Sequence, residues 1–179
     1  MLTEPLPTSL DVRKAAARGA VLKGVLQPAD MARAREILAS DNGRIEVQLA
    51  FSRDEENRTV IALSLTVDVE VTCQRCLEAL PIQVHASNQL AVVGSDDRAR
   101  DLPAQLDPLV VEGDNCGLWT LVEDELMLAL PIVSYHDTDD CKRILDEYTA
   151  PPPDAAGQRE NNPFKVLEQL KSSGNNPDI

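Results

Sequence analysis

From Ile61 to Thr72 the chain alternates without a break. Ile61, Leu63, Leu65, Val67, Val69 and Val71 fall on one side, and Ala62, Ser64, Thr66, Asp68, Glu70 and Thr72 on the other. A period of two held over so many residues predicts one long strand with a buried face and a solvated face. Ile45, Val47, Leu49 and Phe51 alternate ahead of it, across a charged turn at Ser52 to Arg58. Leu80, Ile82, Val84 and Ala86 alternate after it. Runs joined by short turns predict antiparallel hairpins, and a strand this long predicts a sheet that coils, bulges or closes partly into a barrel.

The helical signals lie on either side of this block. Asp11 to Arg18 has a capping residue at its start and Gly19 past its end, and Ala20 to Leu26 suits a short strand. Met31, Ala34, Ile37 and Leu38 share a helical stripe that stops at Ser40-Asp41-Asn42-Gly43. Further on, Thr120 and Glu123 have capping-box spacing, with Trp119 in place for a hydrophobic staple and Pro131 as the stop. The expected fold class is α+β: a long antiparallel hairpin sheet, partly closed into a barrel, with appended helices. Residues 1–148 form the expected single domain, and 149–162, rich in Pro, Asp, Gln and Asn, the flexible linker. Residues 163–179 form a short helix and tail, begun by Asn162-Pro163 as N-cap and first turn, with Phe164, Leu167 and Leu170 on one face.

Charge is unevenly placed. The net charge is −13, yet residues 1–63 carry nine basic and nine acidic side chains, so the whole excess lies after them. An acidic surface repels phosphate backbones and attracts basic partners, although a solvated acidic face also serves solubility. Aromatic residues are 3% of the chain, which argues against a single-strand reader that stacks bases on exposed rings. The longest uncharged apolar run, Leu126 to Val133, is too short to span a bilayer. With no basic stretch leading into an apolar run, and with only four cysteines, the expectation is a cytoplasmic protein with reduced thiols.

Cys73-Gln74-Arg75-Cys76 sits at the tip of the expected hairpin and is answered downstream by His136 and Cys141. Two close-spaced ligand pairs suit a tetrahedral zinc site, because each fills two corners from one short loop. The same pair also fits a redox couple, although that arrangement wants a helix starting at the first cysteine, which Pro81 and the resumed alternation oppose. Two ordinary thiols are the plain alternative. His85 lies on the polar side of the returning strand, away from the tip, and Cys116 has no ligand neighbour in sequence and reads as a buried thiol. Arg13, Lys14, Arg18, Lys23, Arg33 and Arg35 are the main basic concentration, suited to RNA phosphates or to solvated helix faces. No phosphate-cradling glycine loop, nucleophile elbow or His–nucleophile pair is present, so no catalytic residues are assigned.

Taken in order, these landmarks resemble the YceD family of bacterial proteins. The resemblance rests on Cys73-Gln74-Arg75-Cys76, on Val122-Glu123-Asp124-Glu125 with Leu128-Ala129-Leu130-Pro131, and on His136-Asp137 with Cys141. It extends to Asn162-Pro163-Phe164, Val166-Leu167 and Leu170-Lys171. It implies a non-enzymatic factor in ribosome biogenesis that supports synthesis, processing or stability of large-subunit ribosomal RNA. The expected partner is a large-subunit ribosomal protein or ribosome precursor, with ribosomal RNA contacted directly or indirectly. Asn162, Pro163, Phe164, Leu167 and Leu170 are the candidate partner-binding residues, and a structural zinc on Cys73, Cys76, His136 and Cys141 is the candidate cofactor. The competing class is a thiol- or metal-dependent enzyme, oxidoreductase or nuclease, built on the same four residues.

Overall fold

The computed structural model describes residues 5–148, and it divides into two compact units, Met1–Asp137 and Thr138–Ile179. The expected linker and the terminal helix with Asn162, Pro163, Phe164, Leu167 and Leu170 lie outside the described residues.

In the first unit the alternating run becomes β4, Thr59–Thr72. It lies at the centre of a five-stranded sheet ordered β2-β3-β4-β5-β6, where β2 is Val21–Leu26, β3 Arg44–Arg53, β5 Ala79–Val93 and β6 Asp107–Val110. The register follows the pattern: Ile45 faces Val67, Leu49 faces Leu63, and Val67 faces Val84. Apolar residues of neighbouring strands therefore stack on one face. Ile61, Leu63, Leu65, Val67 and Val69 are all buried there with Ile45, Val47, Leu49 and Phe51.

Two expectations need correction. The sheet is mixed, because β6 pairs with β5 in parallel, reached through the short helix Asp96–Ala99. It is also open, with β2 and β6 at its edges, and no closed barrel forms among the described residues. A parallel edge strand of four residues carries too little alternation to be seen in sequence. Its partner is fixed by the crossover and not by a turn signal.

The inner face of the sheet is covered by two helices. In α1, Val12–Ala17, Asp11 caps the N-terminus by accepting from the Lys14 N–H at 2.9 Å, and Gly19, at φ 59°, lets the chain turn away. Val12, Ala15 and Ala16 are its buried stripe. The stretch from Pro28 is a single 3-10 turn, Pro28–Asp30, then a four-residue helix α2, Ala34–Ile37. The expected stripe is only half realised there, since Met31 and Ala34 are buried while Ile37 is exposed.

The second covering helix, α4 (Leu118–Ala129, after α3 at Asp96–Ala99), buries Leu118, Leu121, Val122 and Leu126. Its first turn is held differently from the expected capping box. Gly117 is the N-cap and gives no side-chain bond, and Trp119 lies inside the helix with its indole N–H donating to the Leu6 carbonyl at 2.8 Å. Glu123 reaches instead to the N-terminus of α2. Its carboxylate accepts from the backbone N–H groups of Arg33 and Ala34, at 2.7 and 3.1 Å, and from the Arg33 guanidinium at 2.9 Å. A small second sheet pairs β1, Ser9–Asp11, with β7, Asn115–Gly117.

Glu125 sits on the same helix in the opposite condition. It is buried, and desolvation raises its carboxyl, with the charges of Asp107 and Asp124 adding to the rise against the Asn88 amide, which lowers it. A carboxyl raised in the folded state costs stability as pH climbs above its unfolded value. Glu125→Gln keeps the shape and removes that charge. Its midpoint should exceed wild type by a few degrees, about 2–4 °C per kcal/mol, at neutral pH, with the gap closing below about pH 4. Thermal melts across that range check this.

In the second unit the described part is α5, Asp139–Tyr148. Thr138 caps it, its hydroxyl facing the Cys141 N–H at 3.4 Å. Among the described residues, no helix is long and apolar enough to cross a membrane.

Candidate metal centre

The tip between β4 and β5 is a short turn closed on itself. Cys73 N–H donates to the Glu78 carbonyl and Leu77 N–H to the Cys73 carbonyl, both at 2.9 Å. Leu77 adopts a left-handed conformation at φ 63°, which costs a non-glycine residue about 1–2 kcal/mol. The turn holds that strain while bringing Cys73 and Cys76 to the same side.

The segment after α4 lies along this turn. Pro131 follows the end of the helix, and the chain bends at Ile132 and Val133 as it passes the tip. Gln74 binds the segment twice, its N–H to the Ser134 carbonyl at 2.9 Å and its side-chain amide to the Ile132 carbonyl at 3.1 Å. The Arg75 guanidinium stacks over the Tyr135 ring at 4.7 Å from the centroid. These contacts place His136 beside the cysteines, with Nδ1 at 3.2 Å from the Cys76 Sγ. On the other side of the ring, Nε2 faces the Ala79 carbonyl at 3.2 Å. A carbonyl can only accept, so Nε2 is the donor there, and Nδ1 is the ring nitrogen turned toward the sulfur of Cys76.

Cys73 is fully buried. Burial pushes its thiol up, but the backbone N–H groups of Cys76, His136 and Arg75, with the Cys76 thiol, together outweigh that and lower it to about 5. The turn therefore stabilises a thiolate, which is the form that binds metal. All four cysteines are thiols and not disulfide halves. One ligand atom each from Cys73, Cys76 and His136, all in the first unit, lies within 4.8 Å of the others, and Cys141 is buried near the start of α5 in the second. Zinc bonded at about 2.3 Å to sulfur separates tetrahedral ligands by roughly 3.8 Å, so a modest contraction around one ion fits this donor set. The cluster is compatible with a structural metal such as zinc.

The other sequence candidates are placed elsewhere. His85 bonds across the strands to the Thr66 hydroxyl and along its own strand to Gln83, each at 3.0 Å. Cys116 is buried in β7 with its thiol raised by desolvation. Of the six basic residues, Arg33 pairs with Glu123 and Asp124, Arg35 with Asp41, and Lys14 with Asp11. Arg13 stands 3.7 Å from Asp114. Among the described residues Arg18 and Lys23 form no ion pair. The basic run is thus partly engaged in holding the fold. Sequence reasoning missed Glu123 as the clamp on α2, because nothing local marks a partner so distant in the chain.

The matches to known proteins span the residues of this site. A family model described as "Large ribosomal RNA subunit accumulation protein YceD" matches residues 61–171. A relative from Haemophilus influenzae named "Large ribosomal RNA subunit accumulation protein YceD" is 31% identical over 169 residues, which cover 93% of this chain and 96% of that protein. No solved structure matches.

Proposed function

The chain belongs to the YceD family, and from that premise we propose that it is a non-enzymatic factor supporting synthesis, processing or stability of large-subunit ribosomal RNA. The observation that carries this is the family relationship itself, which spans nearly the whole chain. The site supports it by its chemistry. Cys73, Cys76, His136 and Cys141 would hold one zinc with four protein ligands, leaving no position for a water nucleophile, and such an ion ties the hairpin tip to the segment beyond α4. A redox role is disfavoured because no helix begins at Cys73, which is buried at the start of the tight turn closed by the Leu77 N–H on its carbonyl.

The charge argues for contact through protein. Long-range repulsion from a chain of net charge −13 makes bare RNA a poor ligand at physiological salt unless a local basic surface receives it. The acidic later part, including Asp137, Asp139 and Asp140, suits a basic large-subunit protein. The stretch Asn162, Pro163, Phe164, Leu167 and Leu170 is the proposed docking element, since the short helix its sequence predicts needs a surface to lie on. Gradient sedimentation of cell extracts tests the proposal. The protein should travel with large-subunit precursors and be depleted from mature ribosomes. Confinement to the top of the gradient, at salt low enough to preserve precursors, would contradict it.

A further inference from the structure

At the far end of β4 from the metal centre, a cavity of about 590 Å³ opens between α1, the β3–β4 turn and the segment after β5. Four arginines line it, Arg13, Arg53, Arg58 and Arg98, against two carboxylates, Glu56 and Asp101. They come from separate places in the chain, so only the fold brings them together. Their partners differ. Arg58 is held by Asp54 at 2.6 Å and Glu56 at 2.8 Å, and Arg13 approaches Asp114 at 3.7 Å with both side chains well exposed. Arg53 donates to the neutral Asn57 amide oxygen at 2.7 Å, a bond that leaves its charge uncompensated. Arg98 forms no ion pair among the described residues.

We propose that this arginine-lined cavity binds the phosphodiester backbone of single-stranded RNA, with Arg53 and Arg98 as the phosphate contacts and Arg13 and Arg58 shaping the walls. Guanidinium groups present planar donor forks matched to phosphate oxygens, and a concave wall raises the local potential above that of a strongly acidic chain. No aromatic ring lines the cavity, so bases find no stacking platform and the cavity reads backbone without sequence. The inference rests on the proposed role in ribosomal RNA production, and it moves the RNA site away from the N-terminal basic run to a place assembled by the sheet.

The test is fluorescence anisotropy of the full chain with labelled oligouridylate and oligoadenylate over a salt series. The two oligonucleotides should bind alike. The double variant R53A/R98A should weaken both at least ~10-fold at low salt. It should also make the fall of log affinity with log salt shallower by roughly 1.4, about 0.7 for each phosphate no longer neutralised. The variant R18A/K23A should change neither quantity. Absent binding by wild type, an unchanged slope in R53A/R98A, or an equal weakening in R18A/K23A would overturn the inference. So would inorganic phosphate competing as well as the oligonucleotide does. Sedimentation separates this from the reading beneath it: a wild-type protein that travels with precursors yet fails the RNA assay loses only the cavity assignment, whereas one absent from precursors loses the functional role itself.

Discussion

Cys76→Ser should release the metal and lower the thermal midpoint on the order of 10 °C. The turn that carries Cys76 stores the left-handed Leu77, and the segment from Ile132 to His136 is held to it by the Gln74 hydrogen bonds, the Arg75–Tyr135 stacking and the contacts of His136. A zinc shared between the turn and His136 would supply the remaining attachment. Without it, strain and chain entropy favour release of the segment. Calorimetry with and without added zinc checks this. Wild type should respond to a strong chelator by falling to the midpoint of the variant, and the variant should ignore the chelator. Equal midpoints for wild type and Cys76→Ser, both insensitive to chelation, would rule the metal out.

Glu123→Ala should be the most damaging change away from the metal, at about 2–4 kcal/mol. The carboxylate is buried and receives two backbone N–H groups and a guanidinium, so its removal leaves the start of α2 without acceptors. The pH dependence has a definite sign. Desolvation pushes Glu123 up, but the Ala34 and Arg33 N–H groups and the Arg33 guanidinium outweigh it and hold the carboxyl below its ordinary value. A group lowered in the folded state contributes stability above its unfolded pKa and loses it as pH falls through the folded value. The gap between wild type and Glu123→Ala should therefore be full at neutral pH and narrow below about pH 4. Glu125→Gln, two positions along, should differ from wild type with the opposite sign. A pair of melts on these two variants separates specific pairing from general acidity of the helix.

The contrast between Thr120 and the long strands shows which part of the structure is legible in sequence. Period two marks β3, β4 and the early part of β5 because each of those side chains faces one layer, and the layer repeats every second residue. The same pattern locates Cys73 and Cys76 at a turn, since alternation stops before them and resumes after. Features set by chain-distant partners are not legible. Thr120 and Glu123 have the spacing of a local cap, yet Glu123 bonds to Arg33 and Ala34, residues no window includes. β6 and β7 are four and three residues long, too short for periodicity, and owe their existence to β5 and β1 beside them. The arginine cavity is hidden for the same reason. Arg53, Arg58 and Arg98 are inconspicuous in sequence, while the prominent run from Arg13 to Arg35 is partly engaged in ion pairs.

The proposed metal site is closed, with four protein ligands that hold the hairpin tip and leave no place for chemistry. Zinc K-edge X-ray absorption on the full chain, purified without chelator, tests it most directly. The expected result is one zinc per chain with three sulfur neighbours at about 2.3 Å and one nitrogen at about 2.0 Å, and no further ligand. A folded protein without zinc, or an ion that keeps a water in its first coordination sphere, would contradict it.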